Sequence, residues 1–385
     1  MIPSGRQEVS EADIEAVVSV LRSDFLTQGP VVPRFEQAVA QRCGAAHAVA
    51  VSNATAALHL ACLALDLGPG DLCWTSPVTF VASANCARYC GAEVDFVDID
   101  PVTRNIGIGA LEAKLEAAAR ASRLPKVLVA VHLCGDPCDM EAIHALSKRH
   151  GVAVIEDASH AIGALHRGEP VGSCRYSDIT VFSFHPVKII TSAEGGMALT
   201  QRADLARRMA RLRSHGITRE AAEMEHPDAG PWAYEQLELG FNYRMTELQA
   251  ALGLSQLQRL QPFLDARHRL AARYDEALAD LPLTLPWRDP RDRSALHLYV
   301  VRVRPEAPVD RAALFARLRE RGIGANVHYI PVHTQPYYRR LGFAVGDFPQ
   351  AERYHAEALS LPLFAAMTDA QQTTVIDALR GALAA

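Results

Sequence analysis

Residues 10–23 carry apolar side chains at helical spacing. Ile14, Val17, Val18 and Leu21 form one stripe, and Ser10 with Asp13 offers a capping start. FLTQGP then breaks the pattern. From about residue 47 the chain alternates short apolar runs with helical stretches. AVAV (48–51), AEVDFVDID (92–100), KVLVAVHL (126–133), VAVIED (152–157), DITVFSF (178–184) and GGMALT (195–200) read as strands. AALHLACLALDLG and MEAIHALSKRH read as helices between them. This alternation predicts an α/β fold with a mostly parallel sheet.

The pattern changes after residue 250. A long helical stretch, 251–281, is expected to be interrupted at Pro262 and to lead out of the first unit. HLYVVRV (297–303) alternates as a half-exposed strand, and VDRAALFARLRERG reads as a helix closed by glycine. Thr368 with Gln371 three residues on marks the start of a last helix. The organisation predicted is a large domain over 1–264, with an N-terminal helical arm, and a smaller α+β domain over 265–385.

Composition narrows the class. Hydrophobic residues make up 49% and charged residues 22%, which fits a globular chain rather than a disordered one. The formal net charge of -5 lacks the basic excess of a protein that binds mainly nucleic-acid phosphates. No run of 18 apolar residues occurs, and the N-terminus has no apolar segment after a basic start. Eight cysteines without a Cys-x-x-Cys pair suit a reduced chain. The expected location is the cytoplasm, with neither membrane nor nucleic acid as partner.

Among 39 basic residues only four are lysines: Lys114, Lys126, Lys148 and Lys188. Lys188 alone sits in an apolar setting after a strand, between Val187 and Ile189. Such a setting lowers an amine's pKa, as a Schiff-base lysine requires. Two other pieces lie at strand ends, where open α/β sheets place ligands. SNAT (52–55) opens a helix, whose free amides with the Ser52 and Thr55 hydroxyls suit a phosphate. Asp157 ends a buried strand and suits a protonated ring nitrogen. Taken singly, these are also how a helix cap, a turn-capping carboxylate and a surface lysine read. Together they specify a pyridoxal phosphate site. Phe80 is a stacking candidate for the cofactor ring, or else a core aromatic. His132, Cys134 and Cys138 form a competing metal constellation, with spacing that matches no standard zinc pattern.

At these residues the chain resembles the nucleotide-sugar aminotransferases of the fold-type-I pyridoxal phosphate superfamily (DegT-type). SDFLTQGP, SNATAALHLA, SPVTFVASAN, EDASHAIGA, SDITVFSFHPVKIITSAEGGM, LGFNYRMTELQAALGLSQL and VHYIPVH fall in family order, nearly end to end. The opening SDFLTQGP and FSFHPVKIIT most resemble the subgroup that aminates a UDP-4-keto-6-deoxy-N-acetylhexosamine for pseudaminic acid. The resemblance implies that Lys188 carries the cofactor and Asp157 pairs with its ring nitrogen. It places His160 beside the ring and gives the phosphate to Ala54, Thr55 and Ser183. Asn242 would reach the partner's site in a homodimer. Ser4, Asp24, Phe25, Leu26 and Thr27, and Asn326, Val327, His328 and Tyr329, would line the sugar-nucleotide pocket. L-glutamate would be the amino donor. Two positions depart from the subgroup: Ser4 stands where tyrosine is common, and TSAEGG replaces TTGEGG at Ala193. A lysine at 188, where related dehydratases carry histidine, favours transamination. The rival readings are a sister aminotransferase for another keto sugar, and a cofactor-binding regulatory protein on the same fold.

Overall fold

The computed structural model describes residues 1–227 and 230–384. Strands β1 (His47–Val51), β2 (Leu72–Thr75), β3 (Glu93–Phe96), β4 (Val127–Val131) and β5 (Ala153–Asp157) are followed by a small hairpin, β6 (Leu165–His166) and β7 (Glu169–Pro170). Then come β8 (Ile179–Ser183) and β9 (Gly196–Thr200). Seven of these form one sheet in the order β1-β9-β8-β5-β4-β2-β3. All neighbours are parallel except at β9, which runs antiparallel to both β1 and β8. The sheet is therefore α/β and mostly parallel, as the alternation predicts. Strand β2 escaped the sequence pattern. It is four residues long, LCWT, with no polar–apolar alternation to mark it.

Period-two side chains feed two separate cores. Val127, Val129 and Val131 of β4 join one hydrophobic cluster with the helix Ala54–Ala64. Leu128 and Ala130 join another on the opposite face, with Trp74 and Val154. The same alternation turns Asp157 and Glu156 to opposite faces of the sheet. Glu156 accepts from Ser177 Oγ (2.5 Å) and Thr180 Oγ1 (3.0 Å) and pairs with His132 Nε2 (2.8 Å).

The N-terminal helix, Glu11–Leu21, has the expected capping box between Ser10 and Asp13. Its buried face differs from the expected stripe. Ile14 and Leu21 are exposed, at 46% and 57%, whereas Asp13 is fully buried. The reason is polar. Asp13 accepts from Ser255 Oγ (2.6 Å) and Gln256 Nε2 (2.8 Å) and pairs with Arg259. A charge so thoroughly partnered turns its own helix face inward.

Residues 251–281 are two helices, Glu247–Leu257 and Leu260–Ala277. The break falls at 258–259, not at Pro262. Pro262 is the third residue of the second helix, where its missing N–H would have had no intrahelical acceptor. A three-stranded antiparallel sheet follows, of β12 (Leu283–Thr284), β13 (Tyr299–Val303) and β14 (Ala358–Leu361). A further two-residue pair, β10 (Ile217–Thr218) with β11 (Glu235–Gln236), stands apart from both sheets. Leu270, Tyr299, Leu318 and Leu379 centre a core of their own around the three-stranded sheet. Val332, Tyr338, Phe348 and Tyr354 instead pack back into the central-sheet core. Thr368 and Gln371 cap the last helix reciprocally, as the sequence predicts.

The turn between β8 and β9 carries Ala193 at φ 67°, a left-handed conformation that disfavours any side chain with a Cβ. The loop keeps its shape, with Ala193 N donating to Thr191 Oγ1 (3.0 Å). The side chain is exposed, so removing its methyl forfeits no packing. Ala193→Gly is expected to stabilise the protein by about 1 kcal/mol, the left-handed penalty less the extra unfolded-state entropy of glycine. A rise in the urea midpoint with unchanged slope checks this.

Candidate active site

Parallel strands end at one edge of the sheet, and the chemistry collects there. Asp157 is the last residue of β5 and Ser183 the last of β8. Beyond the end of β1 the chain turns at Ser52–Asn53 and enters the helix Ala54–Ala64. Asn53 Oδ1 accepts from Ala56 N (2.9 Å). The amides of Ala54 and Thr55, first in the helix, have no carbonyl in their own helix to bond. A cavity of about 740 Å³ opens at this edge, lined by Ala54, Thr55, Phe80, Asp157, His160, Ser183, Lys188 and Tyr329.

Gly196, the first residue of β9, lets the helix start approach the sheet. A Cβ there would lie 2.4 Å from the Asn53 carbonyl carbon and 2.5 Å from Ala54 N. The helix N-terminus is thus seated directly on the strand next to β1. Bare amides at a helix start, with the Thr55 and Ser183 hydroxyls beside them, fit a phosphate.

Asp157 is 6% exposed. Its Oδ2 accepts from Ser83 Oγ (2.6 Å), and its Oδ1 accepts from Ser159 Oγ (2.6 Å) and Ser159 N (3.1 Å). Ser83 in turn shares a hydrogen bond with Thr79 Oγ1 (2.7 Å). A buried carboxylate held by hydroxyls, without a cation of its own in contact, fits the protonated nitrogen of a pyridinium ring.

Lys188 follows β8 through a tight turn, its N–H donating to His185 O (2.9 Å). Burial lowers its ammonium pKa to about 8, with the Asp157 charge partly opposing the shift. Two of the other lysines are committed elsewhere: Lys114 to Asp95 (2.7 Å) and Lys126 to Asp71 (2.9 Å).

His160 lies beside Lys188 and is held well below its ordinary pKa, first by burial and then by the Lys188 and His328 charges. His160 Nδ1 accepts from Cys134 N (3.3 Å), and Nε2 lies 3.1 Å from the Tyr329 hydroxyl. His297 packs against it, its ring tilted by 44° with centroids 4.4 Å apart. Phe80 is 58% exposed and 6.3 Å, centroid to centroid, from Tyr329. It is a wall of the cavity rather than a core residue.

The structure brings eight of the expected residues to one cavity: Ala54, Thr55, Phe80, Asp157, His160, Ser183, Lys188 and Tyr329. His328 joins them through its field. Burial and the Lys188 charge lower its pKa to about 4, and its Nδ1 lies 2.8 Å from Ser360 Oγ. Asn326 and Val327 lead into this segment, with Asn326 N donating to Ser360 O (3.1 Å). Ser4 borders the mouth rather than lining it. Its carbonyl accepts from Leu363 N (3.1 Å), and a Cβ on neighbouring Gly5 would lie 3.8 Å from Val187 Cβ.

Asp24, Phe25, Leu26, Thr27 and Asn242 do not line this cavity; all five are exposed. They share one outer surface. Thr27 bridges Thr246, and Leu26 O accepts from Glu247 N (3.0 Å), a few residues beyond Asn242.

The competing metal constellation does not assemble. His132 Nε2 faces Glu156, and its Nδ1 accepts from Cys138 N (3.0 Å), so both nitrogens are taken. Burial pushes the Cys134 thiol up to about 12 and Cys138 higher than its ordinary value. Among the described residues no group of three or more His, Cys, Asp or Glu side chains could hold a metal ion.

Sequence reasoning missed Ser83, Ser159, His185, Glu194 and Tyr243. Ser159 was open to discovery, because an Asp two residues before a Ser is a local turn pattern. Ser83 was not, since it reaches Asp157 from a helix 74 positions away.

A cavity at the strand ends, with a buried amine, a strand-tip carboxylate and a free helix start, fits the requirements of a pyridoxal-phosphate-type transferase site. The chain matches the DegT/DnrJ/EryC1/StrS aminotransferase family over residues 7–380, and it belongs to that family of sugar aminotransferases. It is 40% identical over 383 residues to the spore coat polysaccharide biosynthesis protein SpsC of Bacillus subtilis, covering 98% of this chain and 96% of that one. Among solved structures it is similar to PseC of Helicobacter pylori, an aminotransferase involved in the biosynthesis of pseudoaminic acid. There the identity is 30% and the TM-score 0.90, over 100% of this chain and 99% of that one. Spr1654 of Streptococcus pneumoniae, described as a candidate sugar aminotransferase and solved in a PLP form, superimposes with a TM-score of 0.90 at 28% identity, over 100% and 98%. No helix among the described residues is long and apolar enough to cross a membrane.

The lowered pKa of Lys188 sets a reactivity test. A neutral amine is the nucleophile, so lowering the pKa raises its neutral fraction near pH 8. In cofactor-free protein, Lys188 is expected to be acylated at a rate that rises with pH and is half-maximal near pH 8. Peptide mapping after brief acylation across pH 7–11 measures it.

Proposed function

We propose that this enzyme carries pyridoxal phosphate and transfers an amino group from L-glutamate to C4 of a UDP-4-keto-6-deoxy-N-acetylhexosamine. That is the UDP-4-amino-4,6-dideoxy-N-acetyl-β-L-altrosamine transaminase reaction of pseudaminic acid biosynthesis, performed in the cytoplasm by a homodimer with shared sites. The observation that carries the cofactor reading is the meeting of Lys188, Asp157 and the bare helix start at one cavity. The likeness to PseC over the whole chain supports the substrate.

When bound, the cofactor supplies an electron sink for a carbon that loses its proton. The chain's own residues do the rest. Ala54 and Thr55 amides with the Ser183 hydroxyl hold the phosphate. Asp157, fixed by Ser83 and Ser159, keeps the ring nitrogen protonated. His160 and Phe80 confine the ring. Lys188 would hold the cofactor through its amine. The same amine, when free, would take the proton from the donor carbon and later return one to the sugar carbon. A pKa near 8 suits both directions of that transfer.

Asn242 and residues 24–27 support the shared site. All five are exposed, apolar Phe25 (52%) and Leu26 (50%) among them, and Ile14 and Leu21 are exposed on the preceding helix. A second copy covering these residues would bury this apolar surface and carry Asn242 to its neighbour's cofactor. A second reading of the substrate has its own support: the relative named for spore coat polysaccharide is 40% identical, which favours a different 4-keto sugar nucleotide. Product analysis with each 4-keto epimer separates the two. Altrosamine-configured product from the pseudaminic precursor supports the first reading. Turnover confined to another keto sugar overturns it.

Borohydride reduction of the loaded protein is expected to fix the cofactor on Lys188 alone among the four lysines, by peptide mapping. Asp157→Asn is expected to lower turnover by about 10²–10³, with little change in sugar affinity. Steady-state kinetics and a binding isotherm measure the two.

Mixing Lys188→Ala subunits with Asn242→Ala subunits tests the shared site. After subunit exchange, one site of each mixed dimer carries neither lesion, so activity is expected to reappear. A mixture as inactive as its parents, with exchange proven by mass spectrometry, rules the arrangement out.

A further inference from the structure

The hydrogen bonds around His160 run in one direction only. Cys134 N–H can only donate, so His160 Nδ1 must accept and carries no proton. In the neutral ring the proton then sits on Nε2. Nε2 faces the Tyr329 hydroxyl at 3.1 Å, so Nε2–H donates and the tyrosine oxygen accepts. The hydroxyl's own proton must go elsewhere, and Tyr329 lines the cavity that holds Lys188 and Asp157.

The arrangement is built in from the backbone. Cys134 sits in a tight turn at φ 64°, followed by Gly135 at φ 96°. A Cβ on Gly135 would lie 2.8 Å from His160 O and 3.0 Å from Leu296 N. The turn is held from the other side by Ala295 N donating to Gly135 O (3.0 Å) and Leu298 N donating to Cys134 O (3.2 Å). The amide that sets the histidine tautomer therefore cannot swing away. Tyr329 is fixed as well, since the preceding carbonyl of His328 accepts from the Tyr354 hydroxyl (3.0 Å).

We propose that Tyr329 is a catalytic residue whose hydroxyl, oriented by His160, hydrogen-bonds the oxygen that is lost or gained at the reacting carbonyl carbon. The proposal rests on the transamination reading and deepens it. When an amine replaces a carbonyl oxygen, a C–N bond forms, the C–O bond breaks, and the oxygen leaves as water with two protons from the amine. Tyr329 lends one of these protons and regains it from the amine nitrogen, so it ends unchanged. In the donor half-reaction the same steps run in reverse, and water brings the oxygen in. His160 is a positioning residue in this scheme: it never gives up its proton, but it decides where the tyrosine proton points. Burial keeps His160 neutral and pushes the Tyr329 hydroxyl above its ordinary pKa, so the pair stays a donor chain through neutral pH.

Two measurements test this. Long-range ¹H–¹⁵N spectra of the loaded enzyme, assigned with His160→Gln, are expected to show the Nε2–H tautomer without titration from pH 5.5 to 9. An Nδ1–H tautomer, or titration near the ordinary histidine value, overturns the orientation argument. The second is Tyr329→Phe with Cα-deuterated glutamate. Deuterium exchange depends on Lys188 and is expected to stay within about threefold of the unaltered enzyme, whereas 2-oxoglutarate release falls about 10²-fold. Equal losses in both, or loss in neither, overturn the catalytic role of Tyr329. Absence of exchange in the unaltered enzyme refutes the transamination reading itself, and this proposal with it.

Discussion

A carboxylate at the buried tip of a central strand is the constraint on which the site turns. Asp157 is expensive to bury unpaired, and two separate elements answer its carboxylate. Ser83 comes from the helix after the β2 loop and Ser159 from the turn after β5, while His132 N at the end of β4 holds the Asp157 backbone oxygen and so the strand tip itself. None of these donors brings a full positive charge. The negative charge is therefore held in place yet left for a ligand to neutralise. Moving either the helix that carries Ser83 or the turn that carries Ser159 would leave the carboxylate short of donors.

The same dryness governs the neighbouring groups. Burial drives the Lys188 amine, His160 and His328 toward their neutral forms and raises the Tyr329 hydroxyl. In water at neutral pH the amine would be charged and the two imidazoles would titrate close by. In the cavity they become a nucleophile and a set of fixed dipoles instead. Such groups need little reorganisation when charge moves during a reaction, which is the main advantage of a preorganised site. The price is paid in conformational rigidity around the 133–135 turn and the Gly196 contact, where a single added methyl would collide with backbone.

The surface that carries residues 24–27 and Asn242 obeys a different logic. It is open and partly apolar, and its polar groups do not converge on the chain's own cavity. Ile14 and Leu21 are exposed on a helix whose Asp13 is buried against Arg259, which shows how one helix can turn its charge inward and apolar side chains outward. In a lone chain that is an unusual use of hydrophobic residues, and it is rational if a second surface meets it.

Local sequence determined much of this molecule. Strand and helix periods, the caps at Ser10 and Thr368, and the strand-end positions of Asp157 and Lys188 follow from short-range sterics and side-chain alternation, which one-dimensional patterns record. Several of the residues gathered at the cavity were legible too: the lysine because it was one of four, and the free amides of Ala54 and Thr55 because they open a helix. Tertiary structure decided what depends on contacts between distant segments. The inward face of the first helix turned on Arg259, some 240 positions away, so its apolar stripe misled. Strand β2 was too short to alternate and exists because β3 and β4 pair on either side of it. The Ser83 bond to Asp157, the closure of His132 to any metal and the tautomer of His160 are likewise meetings of side chains or amides from separate elements. A hydrogen bond has a direction only once both partners are placed, and no spacing along the chain contains that information.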